Sequence, residues 1–366
     1  MTLSLEGRPL LVDPGTATYT TDPALRDRFR SSASHNTVTI DNQPQARPDG
    51  PFHWRTRANA TLIGWRSHPR LDWVEAVHNA YATLPHRRSV LRAADSGWLI
   101  VDEVLGSGEH TAAAHWHLDP DWTLRTDAPG RMRAMHTDGT EAWILSDAGE
   151  IVLAHGDDIS GMGWFAPAYG VVVPAWSARI ARTEQTPIAM VTWVCATPPG
   201  QQRPPSIERL SAARNREAVI AAKVTTGERT SVFLVRPGGS SSPHICEAGG
   251  CQTDARVLHC MEDGRLLALD LIDGTQAITA GGGGFTLTAS EPVADLHISI
   301  DEGVLDLQVS RAPACLRLQG GALHRVVSIH LNHREVPTGA MKQGDTLIVN
   351  AASWSGPVRD LLPSIA

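Results

Sequence analysis

Apolar and polar side chains alternate with a period of two along much of this 366-residue chain. A clear case is the pair of segments 296–300 and 305–309, which the polar turn 301–303 connects. Such alternation predicts strands with one buried face, and two of them around a short turn predict a hairpin. Segments 267–271 and 327–331 carry the same pattern. Strands are therefore the expected main element of this protein.

Near the N-terminus, two short apolar segments around Glu6-Gly7 predict another hairpin. Helix signals are few. Asp22 followed by Pro23 is typical of a helix start and predicts a short helix over 24–29. Segment 206–219 predicts a second helix, and Asp273-Gly274 predicts a turn after strand 267–271. The remaining segments favour an all-β sandwich or a pair of sandwiches.

A proline-rich stretch, 197–205, is the most linker-like part of the chain. We place a domain boundary there, between 1–200 and 201–366. The same stretch is also compatible with a long loop inside one extended sandwich. We interpret the glycine run 281–284 as a flexible turn, because no Lys-Ser/Thr pair follows it to complete a phosphate-binding loop.

The composition excludes several classes of protein. A net charge of −7 argues against nucleic acid as the main partner, which requires a basic surface. The five cysteines are odd in number and form no Cys-x-x-Cys pair, which argues against a zinc knuckle or a complete disulfide framework. Cys246 and Cys251 would be able to bridge in an oxidising compartment, although buried thiols are the favoured interpretation. No apolar run approaches the roughly 20 residues of a membrane helix, and the first residues carry no export signal.

Asp13 and His35 are the first candidates for chemistry. Asp13 ends one predicted strand and His35 begins another, so the two side chains are able to converge. Carboxylates and imidazoles are both zinc ligands, with bonds of about 2.0–2.2 Å. The residues alone favour a simpler interpretation, in which Asp13 caps the following turn and His35 is hydrogen-bonded at the edge of the core. His115 and His117, which share one face of a predicted strand, are a rival metal site.

Several segments of the first half resemble the C-terminal β region of the heparinase II/III-like polysaccharide lyases. The most specific is the block His35-Asn36-Thr37-Val38. The other segments that carry the resemblance are Asp13–Tyr19, Arg30–Asp41, Glu75–Tyr81, His86–Val90, Trp98–Val104, His115–Pro120 and Trp164–Gly170.

This resemblance implies an N-terminal α/α toroid followed by a large antiparallel β super-sandwich, here with a smaller C-terminal β-sandwich portion. The active cleft of the family lies between toroid and sandwich. The toroid is absent from this sequence, and so is the His-x-His-x-Asp string that precedes the β region. The chain is thus expected to be a truncated lyase that is inactive alone. By the resemblance, Asp13 and His35 bind a structural zinc ion whose third ligand lies upstream of Met1.

The reaction that the resemblance implies is β-elimination on an acidic polysaccharide. A base removes the proton next to a uronic-acid carboxylate, whose charge must be neutralised as the enolate forms. Tyr19 is the candidate catalytic residue, as an acid or a substrate clamp, or else a half-buried strand aromatic. Arg30 is a candidate for pairing with a substrate carboxylate, or else a surface charge. Asn36 is a candidate for sugar contact, or else for local hydrogen bonding.

His78 and Tyr81 keep two positions of the family's His-Asp-Gly-Tyr string and are further candidates for substrate binding. Asn79 and Ala80 depart from that string, which weakens the prediction for this loop. The full-length parent is expected to be periplasmic or secreted. The alternative to a lyase is a non-catalytic carbohydrate-binding or structural β-sandwich module.

Overall fold

A computed structural model describes residues 1–94, 96–147, 149–197, 203–212, 219–238, 244–264, 267–280, 284–336 and 341–354. The chain divides into two compact units. The first comprises Met1–Trp65 and Trp73–Gln201, and the second comprises Arg66–Asp72 and Gln202–Ala366. The predicted boundary between 200 and 201 lies outside the described residues.

The described part of the first unit contains one α-helix and sixteen strands. The helix is α1 (Pro23–Arg30). The strands are β1 (Leu3–Leu5), β2 (Arg8–Leu11), β3 (Val38–Ile40), β4 (Ala60–Ser67), β5 (Leu71–His78), β6 (His86–Ala93), β7 (Gly97–Val104), β8 (Glu109–His117), β9 (Trp122–Ala128), β10 (Arg131–His136), β11 (Glu141–Ser146), β12 (Glu150–His155), β13 (Trp164–Ala168), β14 (Val171–Pro174), β15 (Trp176–Gln185) and β16 (Ile188–Ala196).

Two sheets of this unit form a sandwich. One has eight strands in the order β4-β5-β6-β7-β16-β11-β10-β9, and the other has four in the order β12-β15-β8-β3. Both contribute to one apolar core, which joins Ile100 and Ile144 of the larger sheet to Trp116 and Ile180 of the smaller. Burial of such side chains stabilises the sandwich by about 1.5–3 kcal/mol each. The all-β fold that the sequence predicts is confirmed.

The short elements near the N-terminus are also confirmed. Strands β1 and β2 pair as an antiparallel hairpin. The carboxylate of Asp22 accepts a hydrogen bond from the Leu25 amide at 2.9 Å, and Pro23 occupies the first turn of α1. This is the ordinary start of a helix, because it satisfies an amide that has no partner within the helix. On the helix, Phe29 is buried against Ala17 and Ala166.

The described part of the second unit contains fourteen strands, all in one sheet. They are β17 (Ser206–Leu210), β18 (Ile220–Thr226), β19 (Arg229–Val235), β20 (Cys246–Ala248), β21 (Cys251–Thr253), β22 (Val257–Glu262), β23 (Leu267–Thr279), β24 (Phe285–Asp301), β25 (Val304–Val309), β26 (Cys315–Gly320), β27 (Ser328–Leu331), β28 (Arg334–Val336), β29 (Lys342–Gln343) and β30 (Thr346–Asn350).

The predicted hairpin at 296–309 is confirmed, with Leu296 opposite Val309 and Asp301 opposite Val304. The segment around Ile329 forms β27, which pairs in parallel with β25. Cys246 and Cys251 are separate buried thiols and form no disulfide. The described residues contain no helix with the length and apolar character that a bilayer crossing requires.

Two sequence predictions are wrong. Ser206–Leu210 is strand β17 and no part of a helix, because it pairs along its whole length with β18; residues 213–218 lie outside the described chain. Such pairing overrides a weak local helix preference. The predicted turn at Asp273-Gly274 is also absent, since β23 continues to Thr279 with a register irregularity between Gly274 and Gln276. An irregularity of this kind bends a strand without ending it. Most of the glycine run, 281–283, lies outside the described residues.

Candidate functional site

Residues 31–36 form a compact link between α1 and β3. A 3-10 turn covers Ser32–Ser34, and the hydroxyl of Ser34 donates to the carbonyl of Arg28 at 2.7 Å. The amide of His35 bonds to the carbonyl of Ser32. Small hydroxyl-bearing residues favour such turns because their side chains bond to nearby backbone. The link fixes the position from which the His35 and Asn36 side chains project.

The Asp13 and His35 side chains meet. Asp13 follows β2, where one carboxylate oxygen accepts the Gly15 amide at 3.0 Å and the other lies 2.8 Å from Nδ1 of His35. Gly15 adopts a left-handed conformation with φ of +81°, and a Cβ there would overlap the Ala166 carbonyl. The turn therefore requires glycine at this position. The simpler interpretation drawn from the sequence includes the cap of the turn by Asp13, and the metal interpretation includes the approach of carboxylate to imidazole.

The pair fits part of a zinc site. An ion with bonds of about 2.0–2.2 Å would take the place of the present hydrogen bond after a small movement of the two side chains. Among the described residues, no group of three or more His, Cys, Asp and Glu side chains could hold a metal. A further protein ligand would have to come from outside the described residues.

His115 and His117, the rival pair on β8, each make a hydrogen bond within the protein. Nε2 of His115 lies 2.9 Å from the Thr39 hydroxyl, and Nε2 of His117 lies 3.0 Å from the Ala33 carbonyl. Burial lowers their pKa values to about 3 and about 4. Both rings are thus neutral near pH 7, and each has one nitrogen engaged by its neighbours.

Asn36 has a buried and fully engaged amide. Its side chain is 3% exposed. The nitrogen Nδ2 donates to the carbonyls of Met1 and Val12, each at 2.9 Å, and Oδ1 accepts the His117 amide at 2.7 Å. These bonds assign Asn36 a positioning function. Its predicted contact with sugar stays a prediction.

Arg30 organises the loop after β3. Its guanidinium donates to the carbonyls of Gly50 and His53 at 2.7 and 3.0 Å. It also lies over the Trp54 ring, 4.1 Å from the centroid, as a cation–π contact. Arg30 therefore shapes this loop, while its positive charge is neutralised only weakly by Asp27 at 3.9 Å.

A cleft of about 710 Å³ lies beside these groups in the first unit. The residues that define its chemistry are Arg30, His35, Asn36, Trp54, Arg57 and Arg88. Arg57 is exposed and forms no ion pair with any residue in the described part of the chain. The cleft is thus cationic although the whole chain carries a net charge of −7.

A buried relay of side chains leads away from the cleft. Arg88 donates to Asp102 through Nε and Nη2, at 2.6 and 3.0 Å, and through Nη1 to the Asn36 carbonyl at 2.6 Å. Asp102 also bonds to His86, and His86 bonds to His78 at 2.9 Å. Burial alone would raise the pKa of Asp102, but Arg88 and His86 outweigh it and lower the pKa to about 2. Asp102 is thus a carboxylate that holds Arg88 in position.

His78 and Tyr81 lie at the far end of this relay and do not line the cleft. Burial is the main cause that lowers the pKa of His78 to about 4, so its ring is neutral near pH 7. Burial also raises the pKa of the Tyr81 phenol, which donates to the carbonyl of Gln43 at 3.0 Å. Their predicted contact with substrate stays a prediction.

Tyr19 contacts other exposed aromatic side chains in this arrangement. It is half exposed, and its ring stacks on Tyr169 with centroids 5.7 Å apart. It does not line the cleft. Its catalytic assignment therefore stays a prediction that the resemblance alone supports.

Of the six residues that define the chemistry of the cleft, three are not among the site residues predicted from the sequence: Trp54, Arg57 and Arg88. Arg88 had a usable signal, because it lies directly opposite Asp102 across β6 and β7, and charged residues in paired strands are expected to pair. Trp54 and Arg57 lie in a long loop without periodicity, where no local pattern marks them.

Comparison with known proteins identifies the class. Residues 1–209 match the family described as heparinase II/III-like, C-terminal. This match covers more than half of the chain, and the chain belongs to that family. The heparin-sulfate lyase of Pedobacter heparinus is 28% identical over 148 residues, which are 39% of this chain and 21% of that protein.

Solved structures show the same fold. The heparan sulfate lyase HepC from Pedobacter heparinus superposes with a TM-score of 0.50 and 20% identity, over 64% of this chain and 36% of that one. The heparinase III BT4657 gene product gives a TM-score of 0.52 with 16% identity, again over 64% and 36%. The chain spans about a fifth of the curated relative and about a third of these structures.

We predict that Asp102→Asn destabilises the first unit by about 3–5 kcal/mol at pH 7, because it leaves Arg88 and His86 buried beside a neutral amide. A carboxyl whose pKa falls on folding stabilises above its unfolded pKa of about 3.9. That contribution disappears as the pH falls towards 2. Urea unfolding should therefore show that the gap in unfolding free energy between the native protein and the variant narrows by about 2 kcal/mol between pH 5 and pH 2.

The matched control is Asp127→Asn, which breaks the more exposed ion pair with Arg131. This variant is expected to lose under about 1 kcal/mol of unfolding free energy. A gap for Asp102→Asn that does not change with pH would show that folding leaves the pKa of Asp102 unchanged, and it would contradict this account.

Proposed function

We propose that this chain forms the β wall of a polysaccharide lyase cleft that binds acidic, uronic-acid-containing glycans for β-elimination. The observation that supports the proposal is the cleft with Arg30, Arg57 and Arg88 in its wall. An arginine fork matches a carboxylate or sulfate in geometry and charge. A polyanionic chain is thus the ligand that this surface fits.

The three arginines have different roles in this proposal. Arg88 is fixed by Asp102, and Arg30 by the carbonyls of its loop. Arg57 has no anionic partner in the described part of the chain and therefore has the most to gain from a glycan carboxylate. Neutralising that carboxylate acidifies the adjacent carbon, which is the condition for β-elimination.

We consider next which of the chain's own groups supply the acid–base chemistry. Tyr19 remains our candidate for the acid or the clamp. Tyr81 keeps its proton, because burial raises the pKa of its phenol, and His78 is held by His86. We therefore assign His78 and Tyr81 to support of the cleft wall, with sugar contact only at its edge.

The printed names of the relatives point to heparin or heparan sulfate as the substrate class. Because the chain spans only part of those proteins, we propose that catalysis requires a further α/α toroid and that the chain alone binds without cleaving. The parent protein would act in the periplasm or outside the cell, where such glycans are met. A non-catalytic carbohydrate-binding module is the second candidate, and the position of Tyr19 outside the cleft favours it.

We propose that zinc binds between Asp13 and His35. Zinc there would supply a structural link between the Asp13–Gly15 turn and the segment that begins β3. The chain's own residues already hold this link by the 2.8 Å hydrogen bond. No chemical step of the lyase requires the ion in this proposal.

Arg57→Gln should weaken binding of a heparan sulfate oligosaccharide about tenfold, since it removes a charge-assisted hydrogen bond. The dependence of affinity on salt should fall as well. Calorimetric titration at two salt concentrations measures both. Arg55→Gln is the matched control, because Arg55 is also exposed, pairs with Asp49 and does not line the cleft.

Equal losses of affinity in the two variants would show that binding depends on general surface charge. That result would contradict a specific cleft. The same samples are assayed for unsaturated uronate by ultraviolet absorbance. Binding without product is expected. Product formed by this chain would contradict the requirement for a toroid.

Zinc uptake by the chelator-treated chain should be weak, because only two protein ligands are available. Both Asp13→Asn and His35→Gln should abolish it, and His115→Gln should not. Calorimetry with zinc chloride measures the uptake. Loss of zinc uptake in His115→Gln alone would show that zinc binds at His115 and His117 on β8 instead.

A further inference from the structure

Three exposed aromatic rings from distant segments meet on the first unit. Tyr19, Phe52 and Tyr169 are 45%, 70% and 56% exposed. The ring of Tyr19 lies 5.7 Å from that of Tyr169 and 5.8 Å from that of Phe52, at interplanar angles of 22° and 33°. We call this set the aromatic row. Scattered exposed apolar residues are ordinary, but a contiguous group usually marks a binding surface.

Backbone contacts hold the row in place. The amide of Gly170, next to Tyr169, donates to the carbonyl of Ala17 at 2.8 Å, and Nη1 of Arg26 donates to the carbonyl of Tyr19 at 3.2 Å. The Thr18 hydroxyl bonds to the Tyr169 phenol and lowers its pKa. The rings are thus oriented by their surroundings before any ligand arrives, which reduces the entropy lost on binding.

The row continues from the cationic cleft. Arg30 lines the cleft, and its guanidinium donates to the carbonyls of Pro51 and His53, which flank Phe52. One side chain therefore forms part of the cleft wall and also fixes the backbone that presents Phe52. A chain lying in the cleft would meet the aromatic row on leaving it past Arg30.

We propose that the aromatic row is a stacking platform for further pyranose rings of the glycan whose anionic groups occupy the cleft. The inference rests on the proposed function. A pyranose ring has a face of C–H groups that packs on an aromatic ring, while its hydroxyls stay in water. The aromatic faces would recognise the sugar face and leave the anionic groups to the arginines.

The different roles proposed for the cleft and the aromatic row can be distinguished by measurement. Affinity from the cleft depends on charge and salt, whereas affinity from the row depends on the length of the oligosaccharide. Removing a ring should therefore weaken only those oligosaccharides that are long enough to extend beyond the cleft. Tyr169 is the most informative position to test, because it contacts Tyr19 and not Phe52, beside which Arg30 bonds to the backbone.

The test uses heparan sulfate tetrasaccharide and dodecasaccharide, titrated calorimetrically at two salt concentrations. Tyr169→Ala should weaken dodecasaccharide binding about three- to tenfold, change tetrasaccharide binding less than about twofold, and leave the salt dependence unchanged. Phe52→Ala should behave alike, and Tyr169→Phe should retain native affinity. Ile159→Ala, at a fully exposed apolar side chain outside the row, is the control.

Each result separates the two proposals. Unchanged dodecasaccharide binding in Tyr169→Ala, with Arg57→Gln still weakened, would overturn the platform and leave the cleft. Length-dependent binding of neutral oligosaccharides alone would support the platform and overturn the acidic substrate. A change of oligomeric state in Tyr169→Ala without a change in glycan affinity would make the row a protein interface and overturn the platform. Absence of any glycan binding by the native chain would overturn both.

Discussion

The buried amide of Asn36 is the interaction on which the site depends. It joins the backbone at Met1 and Val12 to that of His117, while the Asn36 carbonyl accepts the guanidinium of Arg88. Four segments that are far apart in sequence are thus fixed to one residue. A buried polar network of this kind is stable only when every member has a partner, and here the amide has all of its principal partners.

The arrangement of the cleft depends on the position of Asn36. The residue before it, His35, is directed to Asp13, and the residue across from it, Arg88, is held by Asp102. Arg30 and Arg88, two of the three arginines of the cationic surface, are therefore held in position by the protein itself. This arrangement favours recognition of an anionic chain because little side-chain order remains to be lost on binding.

Local sequence patterns were sufficient to predict much of the fold. The hairpin at 296–309 and the helix after Asp22 follow from alternation and capping, which act between neighbouring residues. Ser206–Leu210 could not be predicted in this way, because its strand state depends on pairing with β18. The bend at Gly274 is likewise a property of two paired strands, β23 and β24.

For the candidate site, the approach of Asp13 to His35 was predictable from strand ends and from the family resemblance. The contributions of Arg57 and Trp54 were not, because they lie in a loop without periodicity whose path to the cleft depends on tertiary contacts such as those of Arg30 and Gln45. The relay from Arg88 to His78 joins the three strands β5, β6 and β7. Its members are visible in the sequence, but their connection exists only in three dimensions.

The most direct test of this account is Asn36→Ala, with unfolding and heparan sulfate binding measured on the same preparation. As a positioning residue, Asn36 should contribute about 3 kcal/mol to stability, because three backbone groups lose their bond to its buried amide. Glycan affinity should fall together with that stability. Unchanged stability with lost affinity would contradict the account and make Asn36 a direct ligand of the sugar.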